Sequence, residues 1–227
     1  MPRFLLTMVI CCAGVNAQGT TARPTVQAAG QASVYLPPDQ VKLDATVMTQ
    51  GTTAQDAAAQ NANQVTAVVA SLQKLLGPGA DIKTVNYYVT PNYKQPKGGG
   101  PGTIVSYTAS MTVEVTLATI SMAGAVIDAA VGGGATSVGS PQFSLKDPEP
   151  ARLQALRLAA MQAKNHADAI ASGLGHTTGA ILLLQEGTTV NVPIITGVGA
   201  PTGGGATQVT PGLIQVQGTV VLQTELL

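Results

Sequence analysis

Tryptophan is absent, phenylalanine occurs twice, and charged side chains make up only 10% of the 227 residues. Eleven basic residues balance eleven acidic ones, and no basic cluster stands out. Nucleic-acid recognition rests on Lys and Arg neutralising phosphates, so that class of partner is excluded. The two cysteines, Cys11 and Cys12, are adjacent and lie in the apolar N-terminal stretch. They cannot supply a disulfide framework or a thiolate metal centre for the rest of the chain. Only two histidines occur, His166 and His176. Beyond the N-terminal stretch no apolar run approaches the ~20 residues of a membrane-spanning helix, although strands could still form a barrel.

What is present begins with an export signal. Arg3 gives a positive start, Phe4 to Val15 is mostly apolar, and Val15-Asn16-Ala17 places small residues at the −3 and −1 sites. This pattern predicts a signal peptide over 1–17, cleavage before Gln18, and a mature protein in the bacterial periplasm or outside the cell. Residues 18–227 are then read as one domain, large enough to bury roughly 70% of its unfolded surface without covalent staples. Loss of Arg3 leaves a single excess acid. So little charge provides little repulsion between copies and favours self-association.

Periodicity gives an α+β chain with antiparallel strands, two long helices and one short one. Thr25–Tyr35 and Val41–Thr49 read as strands around Pro37-Pro38-Asp39, with Val41, Leu43, Ala45 and Val47 on one face. A helix capped by Thr52 or Thr53 runs to Gly77-Pro78-Gly79, with Ala54, Ala58, Asn61, Val65, Val68, Leu72 and Leu75 as its buried face. Asn61 interrupts that face and is read as a helix-edge amide bonded to backbone or water. Ile82–Tyr93 and the strictly alternating Tyr107–Leu117 form a hairpin around a flexible Gly/Pro loop near 94–102. A short helix over 119–131 and a strand over 137–145 follow. Asp147-Pro148 opens the longest helix, with Leu153, Leu156, Ala160, Ala163, Ala167, Ile170 and Leu174 as its predicted stripe. Strands over 181–195 and 213–226, separated by a second flexible loop at 196–212, complete the chain.

Catalytic motifs are missing. There is no Gly-x-Ser-x-Gly elbow, no His-Glu-x-x-His and no Gly-Lys-Ser/Thr phosphate loop, and Gly197-Val198-Gly199 with Gly203 misses the dinucleotide spacing. His166 is read as solvated or capping and His176 as suited to a helix C-terminus. Asp39 is read as ordering its turn, and Asp128 and Asp168 show no evident second carboxylate. No catalytic residue, cofactor or metal is expected. Tyr87, Tyr88 and Tyr93 gather beside the first loop and are the candidate interface residues, with sheet-edge packing the equal alternative for Tyr87 and Tyr88.

The chain also resembles the SIMPL family. The resemblance is carried by Gly51-Thr52-Thr53-Ala54, Asp81-Ile82-Lys83-Thr84, Tyr107-Thr108-Ala109, Val126-Ile127-Asp128-Ala129-Ala130, and Ala155-Leu156-Arg157 through Ala163, Ala167 and Ala171 to Leu174-Gly175. Ser106 stands where members often have glycine. The resemblance implies an antiparallel sheet with packed helices, an envelope location, and for some relatives assembly into large oligomers; it carries over no catalytic residue. The expected function is a non-catalytic envelope module that binds an envelope protein or forms a homo-oligomer. The alternatives are a pore- or channel-like oligomer, and an enzyme whose site assembles from distant residues.

Overall fold

Two long helices each cover one face of an antiparallel sheet in a computed structural model that describes residues 23–191, 198–199 and 207–227. The signal read at 1–17 and most of the loop read at 196–212 lie outside the described residues. The elements run β1 (Thr25–Leu36), β2 (Gln40–Gly51), α1 (Ala54–Leu76), β3 (Asp81–Lys94), β4 (Thr103–Leu117), a 3-10 turn (Ile120–Met122), α2 (Ala123–Gly132), β5 (Ser137–Val138), β6 (Gln142–Ser144), α3 (Glu149–Gly173), β7 (Thr178–Asn191), β8 (Val198–Gly199), β9 (Gln208–Val209) and β10 (Ile214–Leu226). The expected α+β class holds, with the antiparallel strands divided between two main sheets. The single strand read over 137–145 is two short ones, because Pro141 between them has no N–H to give a ladder.

The topology is that of one unit nested in another. β2, β3 and β4, packed against α1, form a sheet in the order β3-β4-β2, and β1, β7 and β10, packed against α3, form a sheet in the order β7-β10-β1. Corresponding elements have matching lengths: 12 and 12 residues for the first strands, 23 and 25 for the helices, 14 and 14 for the strands after them. Gly77 and Gly175, with φ of 87° and 77°, follow the two helices at conformations that favour glycine. The inner unit is inserted between β1 and α3 of the outer one. In each unit the strand that follows the helix lies at one edge of the sheet.

The inner core brings Val41, Leu43, Ala45 and Val47 of β2 and Val113, Val115 and Leu117 of β4 against Val65, Val68 and Leu72 of α1, with Val126 of α2 and Phe143 of β6. Thr53 caps α1, its hydroxyl accepting the Asp56 N–H at 3.1 Å. Three members of the face expected for this helix are not buried: Ala54 is exposed, Ala58 is half-buried and Leu75 is 38% exposed. Ala57 takes the buried place at the first turn. Asn61 bonds backbone as expected, but from the middle of the buried face and not from its edge. Its amide donates to Val47 O at 2.9 Å and Ala109 O at 3.1 Å, joining β2 to β4 beneath the helix.

The outer unit is held differently. The buried line of α3 is Ala151, Ala155, Ala159, Ala163, Ala167 and Ala171, all at 2% exposure or less. Ala163 and Ala167 fall where the spacing predicted. Leu153, Ile170 and Leu174 do not; they are exposed. The reason lies in the sheet. Gly30 of β1 and Gly218 of β10 bring the strands so near the helix that an added Cβ would come within 2.0 Å of Ala159 O in one case and 2.7 Å of Ala155 C in the other. A backbone-to-backbone approach of that kind admits alanine and leaves no room for leucine. At the start of α3 the Asp147 carboxylate accepts the Glu149 N–H at 3.0 Å, the bond expected of an N-cap, and Pro148 already has helical dihedrals, φ −80° and ψ −10°.

Candidate interaction surface

The two outermost strands concentrate the uncovered apolar surface. Among the described residues β3 pairs only with β4, and α1 sits mainly over β2 and β4. Tyr87, Tyr88 and Tyr93 are accordingly exposed. Tyr87 stands across from Met111 and Tyr88 across from Ser110, so the pair straddles the two faces of the sheet. Past an irregularity at Asn92/Tyr93, Tyr93 faces Ile104, itself exposed along with Val105. Asn92 fixes the base of this ribbon by donating to Ser106 Oγ at 2.9 Å and Thr108 Oγ1 at 2.8 Å. Near the start of β3, Lys83 lies 2.9 Å from Asp81. The hydrogen bond from Lys83 holds the Asp81 carboxyl below the usual carboxylate range and raises the lysine in return.

The equivalent strand of the outer unit, β7, exposes Ile181, Leu182, Leu183 and Leu184 in succession, each between 41% and 60%. Sequence reasoning missed these residues. A run of four apolar residues reads as a doubly buried strand, and only the sheet order shows that among the described residues no strand lies beyond it. Side chains of α3 clasp β7 near its two ends: Arg152 donates to Thr188 Oγ1 at 2.8 Å, and Lys164 donates to Thr178 Oγ1 at 3.1 Å.

The second clasp joins three polar side chains of α3 and β7. Thr178 Oγ1 donates to Asp168 Oδ1 at 2.6 Å, and Lys164 pairs with the same carboxylate. The Lys164 hydrogen bond first, then that of Thr178, holds the Asp168 carboxyl below the usual range. Asp168→Asn tests the cluster. A depressed folded value contributes stability that is present above the unfolded carboxyl value and is lost as pH falls through the folded one. The variant is expected to melt slightly below the wild type near neutral pH and together with it at about pH 2, the effect staying small because both side chains are half exposed. An equal difference at both pH values in thermal melts would contradict this assignment.

The other singled-out groups are likewise engaged. Asp39 Oδ1 accepts the Lys146 N–H at 2.6 Å, ordering the approach to α3. Asp128 takes both the N–H and the hydroxyl of Thr207, at 3.2 and 2.7 Å, tying the segment before β9 to α2. His166 Nδ1 lies 2.8 Å from Ala29 O and His176 Nδ1 3.1 Å from Leu227 O. The His176 ring therefore serves the last residue of the chain, and its backbone N–H serves the helix end through Ala171 O. A shallow cleft of about 480 Å³ is lined by Gln50, Gly51, Thr52, Asp56, Gln60 and Ser106. Its one carboxylate accepts from Thr52 and Thr53. Among the described residues no three His, Cys, Asp or Glu side chains converge as metal ligands.

Comparison with known proteins adds a family without an activity. A family model described as SIMPL, protein of unknown function (DUF541), matches residues 26–224, from inside β1 to near the end of β10. The uncharacterized protein YggE of Edwardsiella ictaluri (strain 93-146) is 28% identical over 169 residues, which cover 74% of this chain and 70% of that protein.

Proposed function

We propose that this chain, which belongs to the SIMPL family, acts in the bacterial cell envelope as a non-catalytic module that associates with copies of itself and with envelope proteins. The observation that carries the reading is the apolar and aromatic surface left open on both outermost strands, Tyr87, Tyr88 and Tyr93 on one and Ile181 to Leu184 on the other. Aromatic and aliphatic side chains of this kind, free of dense charge, are the composition of interface cores. The envelope location rests on the signal read over residues 1–17.

The test combines two measurements on protein purified from its source. Mass spectrometry of the N-terminus is expected to find a chain starting at Gln18, and light scattering after size exclusion is expected to find a mass above that of one chain. An intact Met1 would remove the location. A single-chain mass at every concentration would remove self-association.

A further inference from the structure

A strand at the edge of a sheet offers unpaired N–H and C=O groups to any other strand, and folded proteins block such edges. Three outer strands here carry recognisable blocks. On β1, the Gln31 N–H donates to Gln162 Oε1 at 2.7 Å and the Ala29 carbonyl meets His166 Nδ1 at 2.8 Å. Both side chains come from one flank of α3, at i and i+4, and occupy the middle of that edge. β2 is covered by β5 and β6, and between them and beyond by Gly139 N–H to Asp44 O at 2.7 Å, Thr136 N–H to Thr46 O at 2.8 Å and Met48 N–H to Thr136 Oγ1 at 2.9 Å. β3 is interrupted by a register shift at Thr84/Asn86 and by Pro91, and carries Asp81, Lys83 and Lys94.

β7 lacks the side-chain and strand cover of β1 and β2 and the proline of β3, and its two register shifts against β10, between Thr178 and Ile181 and between Ile181 and Leu183, lie at its start. Residues Leu183–Asn191 keep unbroken register with Gln215–Gln223. The strand contains no proline, and Glu186 is its single charge. Among the described residues no side chain bonds to the backbone of residues 179–189; the clasps from Arg152 and Lys164 reach side chains only. Leu184 stands across from buried Leu222 on the α3 side, and Leu183 across from Gln223 on the other, so apolar surface flanks the open edge on both faces.

We propose that the outer edge of β7 receives the β7 of a second copy, antiparallel, so that two three-stranded sheets become one of six strands. This rests on the self-associating reading above and names its contact. A second copy fits for three reasons. The sheet is already antiparallel, and two identical strands meet in that sense about a two-fold axis normal to the sheet, with both α3 helices on one side. The chain's net charge is zero, or a single negative charge without residues 1–17, so copies repel little at long range. The size is also adequate: 14 residues at about 3.3 Å each, in a sheet about 10 Å thick, present roughly 460 Å² per copy before side chains are counted. The four apolar residues on the two faces bring this into the range of about 600–1,000 Å² per partner of specific interfaces.

The test measures mass by light scattering for the wild type and for the double variant Leu183→Lys, Leu184→Lys, whose two sites are exposed in the single chain. The expected result is a wild type heavier than one chain and a variant reduced to one chain at an unchanged melting midpoint. Hydrogen exchange on the wild type covers the case of a misfolded variant: amides 183–189 are expected to exchange more slowly as protein concentration rises. A wild type that associates while the variant keeps the same mass, or whose β7 amides exchange at one rate at all concentrations, overturns the β7 contact and leaves self-association standing. A wild type of single-chain mass overturns both.

Discussion

Gly30→Val and Gly218→Val are each expected to lower the stability of the outer unit by about 3 kcal/mol or more, at or beyond the upper end of overpacking costs. An added Cβ at Gly30 would stand 2.0 Å from Ala159 O and 2.4 Å from Ala163 N, and one at Gly218 2.8 Å from Leu156 N. These are backbone atoms of α3. They cannot rotate aside as a flexible side chain does, so relief requires the helix to lift from the sheet. Lifting would expose the six buried alanines and the facing Val26, Ala28, Val216, Val220 and Leu222. Leu158→Ser, at an exposed site on the same helix, is the control and should shift the melting midpoint little. Comparable shifts for the glycine variants and the control, read by thermal denaturation, would mean that the close approach is not what holds α3 in place.

Asn61→Asp is expected to cost roughly 4 kcal/mol near neutral pH. The site is fully buried, and the amide there gives both of its protons to the carbonyls of Val47 and Ala109. A carboxylate would turn a negative oxygen toward those two carbonyl oxygens in a fully buried site. Burial raises such a group's folded value by about three units, and each unit is worth about 1.36 kcal/mol. The sign of the pH dependence follows. With the folded value above the unfolded one, the variant loses stability as pH rises from the unfolded carboxyl value toward the folded one, and the deficit narrows in acid. Asn61→Leu should cost about 1–3 kcal/mol through the lost hydrogen bonds and show no such pH dependence. Denaturant titrations of both variants at acidic and neutral pH check this; parallel pH profiles would rule out a buried charge as the cause.

The strands whose alternation is regular were legible. Val41 to Val47, Val113 to Leu117, and Ile214 to Leu222 lie where a two-residue period puts them, because each faces helices on one side only. The helices were legible in extent and less so in rotation. On α3 the eye follows leucines, and burial followed alanines, because the deciding information sits on other elements, in Gly30 and Gly218. No window along the helix contains it. The interaction surface divides in the same way. Tyr87, Tyr88 and Tyr93 stood out because tyrosine is conspicuous beside a flexible loop, and they are exposed on an outermost strand. Ile181 to Leu184 did not, since whether an apolar run is central or outermost depends on sheet order. His166 and Gln162 look like ordinary polar positions of a helix surface until β1 is placed beside them.

The nesting of one unit inside the other fixes an order of assembly. β2, α1, β3 and β4 are contiguous and can collapse as soon as residue 117 is available, through loops whose closure is short. β1 must wait. Its partner is β10, with Thr25 meeting Glu225 and Leu36 meeting Ile214, so its ladder closes across nearly the whole chain. Pairings of such sequence separation are the slow ones, because the loop must be closed before any contact rewards it. A nascent chain therefore carries β1 unpaired, with Val26, Ala28 and Val34 uncovered, until the last strand has been made. The first strand made is among the last to be secured.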